Sequence, residues 1–227
     1  MTNPAMDSAI NPAMDSAINS AIDTTRAALV LIDLQNDFLH PEGAYGRAGQ
    51  TSSDIASLPK RLVPVVEAAR RSGVPVVSTH FTLVPGRGGE PIIAEHLRAI
   101  RPFLGSGDFV AGSWGHRLVD ALGVPDASVD KIAYSAFAHT RLEWLLHKFR
   151  VDHLIVAGIV TNGGVAATVL DAHVREFHVT LLSDGCAAFH PDVHQATLTS
   201  LSSAVTMATC SEITAQLDTQ AEFTRVR

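Results

Sequence analysis

Short apolar segments recur along the chain, and each gives way to polar residues or glycine. Residues 27–32 (AALVLI) read as a strand buried on both faces of a parallel sheet. Residues 74–79 (VPVVST), 154–157 (LIVA) and 178–183 (HVTLLS) read as further strands, with shorter ones at 129–132 and 205–208. Between them the apolar spacing becomes helical. Leu62, Val65, Val66 and Ala69 form one stripe in a helix expected over 56–72; Pro59 suits its first turn, and Pro64 marks a kink or a later start. Further helices are expected over 91–104, 116–122, 140–149, 165–177 and 191–204. Strand and helix alternate without an internal boundary. The fold class is therefore α/β, a three-layer α-β-α sandwich on a mostly parallel sheet.

Residues 154–168 (LIVAGIVTNGGVAAT) are the sharpest feature of this pattern. A buried strand breaks through Gly158 and the helix-capping pair Thr161-Asn162 into Gly163, Gly164 and a helix. Free N–H groups of that helix's first turn point back to the strand end and favour negative charge. In open α/β sheets ligands bind at the carboxyl ends of the strands. Two other chemical groups fall on that edge. Asp33 ends the first strand, where a carboxylate is costly unless paired or used, and Lys131 lies in the strand at 129–132.

Composition narrows the reading. The chain has 227 residues, 46% hydrophobic and 18% charged, which suits one domain with a sizeable core. A net charge of −6 without a basic cluster argues against nucleic acid as a partner. No apolar run is long enough for a bilayer, and the start lacks a signal-peptide pattern. The two cysteines, Cys186 and Cys210, form no ligand or disulfide motif, which fits a reducing cytoplasm. Residues 3–10 (NPAMDSAI) recur as 11–18, with NSAID after them. Residues 1–25 are expected to form a mobile arm and 26–227 the domain. If the arm mediates assembly, deleting it changes the oligomer.

Three stretches carry a resemblance: ALVLIDLQNDF at 28–38, KIAYSAF at 131–137 with Thr140 and Leu142 after it, and AGIVTNGGVAAT at 157–168. Together they resemble the isochorismatase-like hydrolase superfamily, over about residues 26 to 215. The resemblance implies a six-stranded, mostly parallel sheet, homodimers or homotetramers, and a small-molecule substrate. It implies an Asp-Lys-Cys triad in which Asp33 is the general acid/base, Lys131 is the lysine, and the cysteine falls on position 164. Here that residue is Gly164. Glycine forms no thioester, so the usual covalent route is closed. The resemblance also implies a cis Ile159–Val160 peptide and an oxyanion hole from the amides of Val160 and Gly164. Isochorismatases likewise carry glycine and cleave a vinyl ether without a covalent intermediate. They have a tyrosine and a histidine where this chain has Val160 and, nearby, Asn162.

The expectation is a hydrolase without a cysteine nucleophile, acting on an enol ether or an amide-type C–N bond. A non-catalytic binding homologue and an amidohydrolase that has lost its cysteine are the alternatives. Phe38, His80, Trp114 and Asn162 are candidate substrate contacts; Phe137 reads as core. Gln35 and Asp37 are expected to brace the loop, Arg87 to be solvated, and Cys186 to be a small buried residue past the strand. No Asp-x-His pattern accompanies His80, and neither a metal nor a cofactor is expected.

Overall fold

The computed structural model describes residues 22–225. The octad repeat, and with it most of the expected arm, lies outside the described residues. Of the arm's last residues, Ile22 is buried in the core, while the exposed Asp23 carboxylate accepts from the backbone N–H and hydroxyl of Thr25.

Six strands form one sheet: β1 (Ala27–Ile32), β2 (Val76–Phe81), β3 (Ala127–Lys131), β4 (His153–Ile159), β5 (His178–Ala187) and β6 (Thr206–Ala208). Their order is β3-β2-β1-β4-β5-β6, and every pairing is parallel. The main helices are α1 (Ser53–Arg71), α2 (Glu95–Ile100), α3 (Leu142–Lys148), α4 (Ala166–Val174), α5 (Pro191–Leu201) and α6 (Cys210–Arg225). Side chains alternate across β1. Leu29 and Leu31 pack with α1 and α6, whereas Ala28, Val30 and Ile32 pack with α3, α4 and α5. This is the three-layer sandwich.

Several boundaries differ from the sequence reading, for identifiable reasons. Helix α1 begins earlier because Ser52 caps it, its hydroxyl accepting from Ile55 N–H at 3.2 Å. Pro59 therefore lies inside the helix, not in its first turn; Pro64 is also internal and faces solvent. Strand β2 starts after Pro75 and continues to Phe81. The helix expected over 91–104 shrinks to α2, between Pro91 and Pro102, and that over 116–122 shrinks to one tight turn at Asp120–Leu122. Strand β5 runs through Asp184-Gly185, so Cys186 lies within it, not past it. Helix α6 was not foreseen. Its Ile213, Leu217 and Ala221, four apart, are buried, and Asp218 pairs with Arg71 of α1 at 2.9 Å.

Gly158 is the glycine this sheet needs. Its φ is +134°, and a Cβ there would lie 2.2 Å from the Ile32 carbonyl oxygen of the neighbouring strand. Gly158→Ala is expected to lower unfolding free energy by at least ~2 kcal/mol, read by urea denaturation.

Candidate active site

Asp33 follows β1, Lys131 ends β3, and Val160 follows β4. All three therefore reach the carboxyl edge of the sheet. Lys131 Nζ lies 2.6 Å from Asp33 Oδ2, and both side chains are almost fully buried. Strand β2 runs between their strands and contributes Thr79, whose hydroxyl donates to Asp33 Oδ1 at 2.8 Å. Lys131 also donates to the Ala133 carbonyl at 3.0 Å. Asp33 itself has a φ of +55°, a left-handed conformation that aspartate tolerates better than most residues.

The pair faces a cavity of about 570 Å³, a volume suited to a small molecule. Val160, Gly164 and the aromatic rings of Phe38, Tyr45, Phe81 and Phe189 line it. Burial pushes the Asp33 carboxyl above its ordinary range, while Lys131 and then Thr79 pull it back. A proton-carrying group with a raised pKa inside a cleft is a candidate for acid–base work. A larger recess of about 840 Å³ lies at the opposite end of the sheet, beside His153 and His178, but its ion pair, Arg26–Asp152, is exposed to solvent. The buried pair marks the smaller cavity as the candidate site.

The turn after β4 supplies the remaining wall. The Ile159–Val160 peptide is cis. Residues Thr161–Val165 make one wide helical turn that leads into α4. Thr161 does not cap the helix; its hydroxyl meets His194 Nδ1 at 2.7 Å. Thr168 fixes the turn from α4 by donating to the Gly164 carbonyl at 2.7 Å. A Cβ on Gly164 would lie 3.1 Å from Asp33 Oδ2. A side chain at 164 would thus project straight at the acidic group.

The expected site residues divide sharply. Asp33, Lys131, Val160, Gly164 and Phe38 meet at the cavity. Asn162 does not: it is exposed on the outer side of the turn. Trp114 is 40% exposed with its ring edge-on to His40, and only its carbonyl serves the loop, accepting from Asn36. His80 is buried but follows Thr79 along β2, so it faces the other side of the sheet. Phe137 packs on Phe177 in the core. Gln35 bonds the backbone of Phe81 and His116, and Asp37 accepts from Ala44 and Phe109, so both brace the loop. Arg87 is exposed. Sequence reading missed Tyr45, Arg101, Tyr134 and Phe189, which come from a single helical turn and irregular segments too short to carry a periodic signal.

His80 has company that the sequence did not disclose. With His116 and Asp130 it forms a cluster whose ligand atoms all lie within 4.8 Å of one another. Two imidazoles and a carboxylate suit a zinc-like ion. The ring nitrogens already meet hydroxyls, His80 with Ser78 at 2.5 Å and His116 with Thr82 at 2.8 Å. Burial depresses the His80 pKa to about 4, so this imidazole is neutral at physiological pH. Neither cysteine approaches the cavity, and burial pushes the Cys186 thiol up to about 12.

Residues 27–213 match the isochorismatase domain. The chain belongs to the isochorismatase family of hydrolases. Among its relatives, the ureidoacrylate amidohydrolase of Methylobacterium radiotolerans is 31% identical over 185 residues, 76% of this chain and 72% of that protein. An Arabidopsis thaliana protein described as a "probable inactive nicotinamidase" is 32% identical over 178 residues, covering 75% and 85% of the two chains. A cysteine hydrolase of Pseudomonas syringae pv. phaseolicola shares the family fold with a TM-score of 0.76 and 26% identity, over 88% of this chain and 96% of its own. No helix among the described residues is long and apolar enough to cross a membrane.

The buried pair generates a stability prediction. Lys131→Met leaves the Asp33 carboxylate without its cation and should cost about 3–5 kcal/mol at neutral pH. Burial already holds the folded-state pKa of Asp33 above its unfolded value, and losing Lys131 raises it further. The folded state then binds the proton first as pH falls. The deficit should be largest above that pKa and shrink as the solution is acidified through it, measured by urea unfolding at a series of pH values.

Proposed function

We propose that this protein hydrolyses an amide-type C–N bond of a small molecule by direct attack of water, without a covalent intermediate. The observation that carries this reading is the buried Asp33–Lys131 pair facing Gly164, which supplies acid–base chemistry but no nucleophilic side chain. The name of one relative, the ureidoacrylate amidohydrolase, supports a C–N bond as the target.

In the proposed reaction the Asp33 carboxylate takes a proton from water as its oxygen bonds to the substrate carbonyl carbon. The resulting oxyanion is held by the backbone N–H groups of Val160 and Gly164. Collapse breaks the C–N bond, and Asp33 returns its proton to the departing nitrogen. Lys131 keeps Asp33 in place and adds positive potential. No metal or other cofactor enters these steps. The acting form is proposed to be a cytoplasmic homodimer or homotetramer.

The raised pKa of Asp33 favours one further chemistry. In the fraction of molecules where the raised pKa leaves the carboxyl protonated, it can instead act as an acid on an enol ether, with water adding to the activated carbon. The pH profile separates the two. Base catalysis on a C–N bond makes kcat/KM rise with pH through the Asp33 pKa, which lies above the ordinary value of about 4; acid catalysis makes it fall.

Gly164 itself also motivates a third reading, a binding protein without turnover, as the relative described as inactive suggests. Such a protein would show ligand-induced thermal shifts with no product from a panel of amides, ureido compounds and enol ethers.

Asp33→Asn should lower kcat by about 10²–10⁴-fold while leaving the circular dichroism spectrum unchanged. Iodoacetamide should leave turnover intact, because both thiols are buried and outside the cavity. Turnover that survives Asp33→Asn, or is abolished by the thiol reagent, would overturn the proposal.

A further inference from the structure

One cation on the cavity wall has no part in the proposed hydrolysis. Arg101, just past α2, is half-buried and lines the cavity with Asp33 and Lys131. Its Nε donates to the Tyr45 hydroxyl at 2.6 Å, and its Nη1 donates to the Tyr134 hydroxyl at 3.4 Å. Nη2 bonds to no described residue. No carboxylate among the described residues forms an ion pair with this guanidinium, although Arg26, Arg47, Arg71 and Arg175 each have one.

Its brace is rigid. Tyr45 is buried, stacks on Phe189 at 5.5 Å with rings nearly parallel, and meets Phe103 edge-on at 5.0 Å. Burial raises the Tyr45 pKa, so the phenol stays neutral and does not cancel the arginine's charge. Among the described residues Asp33 is the only acid lining the cavity, and Lys131 balances it. Arg101 therefore leaves the cavity with an uncompensated positive charge. A guanidinium held by neutral phenols at a largely apolar wall has the donor geometry for an external carboxylate.

We propose that Arg101 is the specificity anchor for a carboxylate on the substrate. The site then takes small monocarboxylic acids whose planar body lies among the aromatic rings and whose scissile group reaches Asp33. This rests on the proposed hydrolysis for the position of the scissile group, but the anchor itself is a matter of binding.

The test needs no turnover and so stands or falls apart from the reaction. Benzoate and benzamide are planar molecules of equal size that differ in charge. Calorimetric titration of the full chain should show benzoate binding about tenfold or more tightly than benzamide. Arg101→Gln should erase that preference while leaving benzamide affinity unchanged, and Arg101→Lys should retain part of it. The preference should also weaken as salt is added. Equal affinities in the unaltered protein, no benzoate binding at millimolar concentration, or a preference that survives Arg101→Gln would overturn the assignment; the last result would place the anion at Lys131 or the turn after β4. If the anchor holds but no C–N compound is cleaved, the proposed hydrolysis fails and the carboxylate site remains.

Discussion

The contact between Asp33 and Lys131 constrains everything at the carboxyl edge of this sheet. Removing two charges from water costs several kcal/mol per ion, and their attraction does not reliably return it. A pair at 2.6 Å with both partners buried is therefore weak evidence of stabilisation and better evidence of use. The strand order makes it demanding. β1 and β3 are not neighbours, so the lysine reaches the carboxylate across β2. Thr79 of the intervening strand completes the arrangement by donating to the carboxylate oxygen that the ammonium leaves open. A shift of one residue in β2 would turn Thr79 away and place His80 against the pair.

Gly158 in β4 and Gly164 in the turn after it show how one residue type serves opposite ends. Gly158 is required by crowding, since a side chain would strike the backbone of β1. Gly164 is not. Its surroundings admit a Cβ with adjustments of a few tenths of an ångström, and its φ is not left-handed. Folding thus explains the glycine at 158 and not the one at 164. What distinguishes position 164 is what it faces, the acidic oxygen of Asp33.

Much of this was legible in the chain because strand ends are legible. Asp33, Lys131 and the Gly-rich turn each fall at or near the end of a strand, and a parallel sheet carries such termini to one edge. The family resemblance added position 164 and the cis peptide. His80 was misplaced because β2 was read two residues too early. Once the strand extends to Phe81, alternation sends Thr79 and Phe81 to the cavity and His80 to the opposite face. Trp114 and Asn162 were misjudged because their loops are held by backbone contacts, which residue type does not reveal. Helix α6 escaped notice because its apolar stripe is narrow, with Cys210, Ile213, Leu217 and Ala221 marking it among polar neighbours. The cation at Arg101 and the ring of Tyr45 belong to segments without period, so only the folded chain brings them together.

Glycine at 164 has a consequence for how such a site would treat competing acceptors. A thiol nucleophile keeps half of the substrate tethered between steps, and any small amine or alcohol that enters can intercept it. A chain that tethers nothing has no stored half to divert. Under the proposed reading, its product mixture is settled in one event by whichever molecule stands beside Asp33. Hydroxylamine could then compete only by taking the place of water beside Asp33, never by trapping a tethered half afterwards.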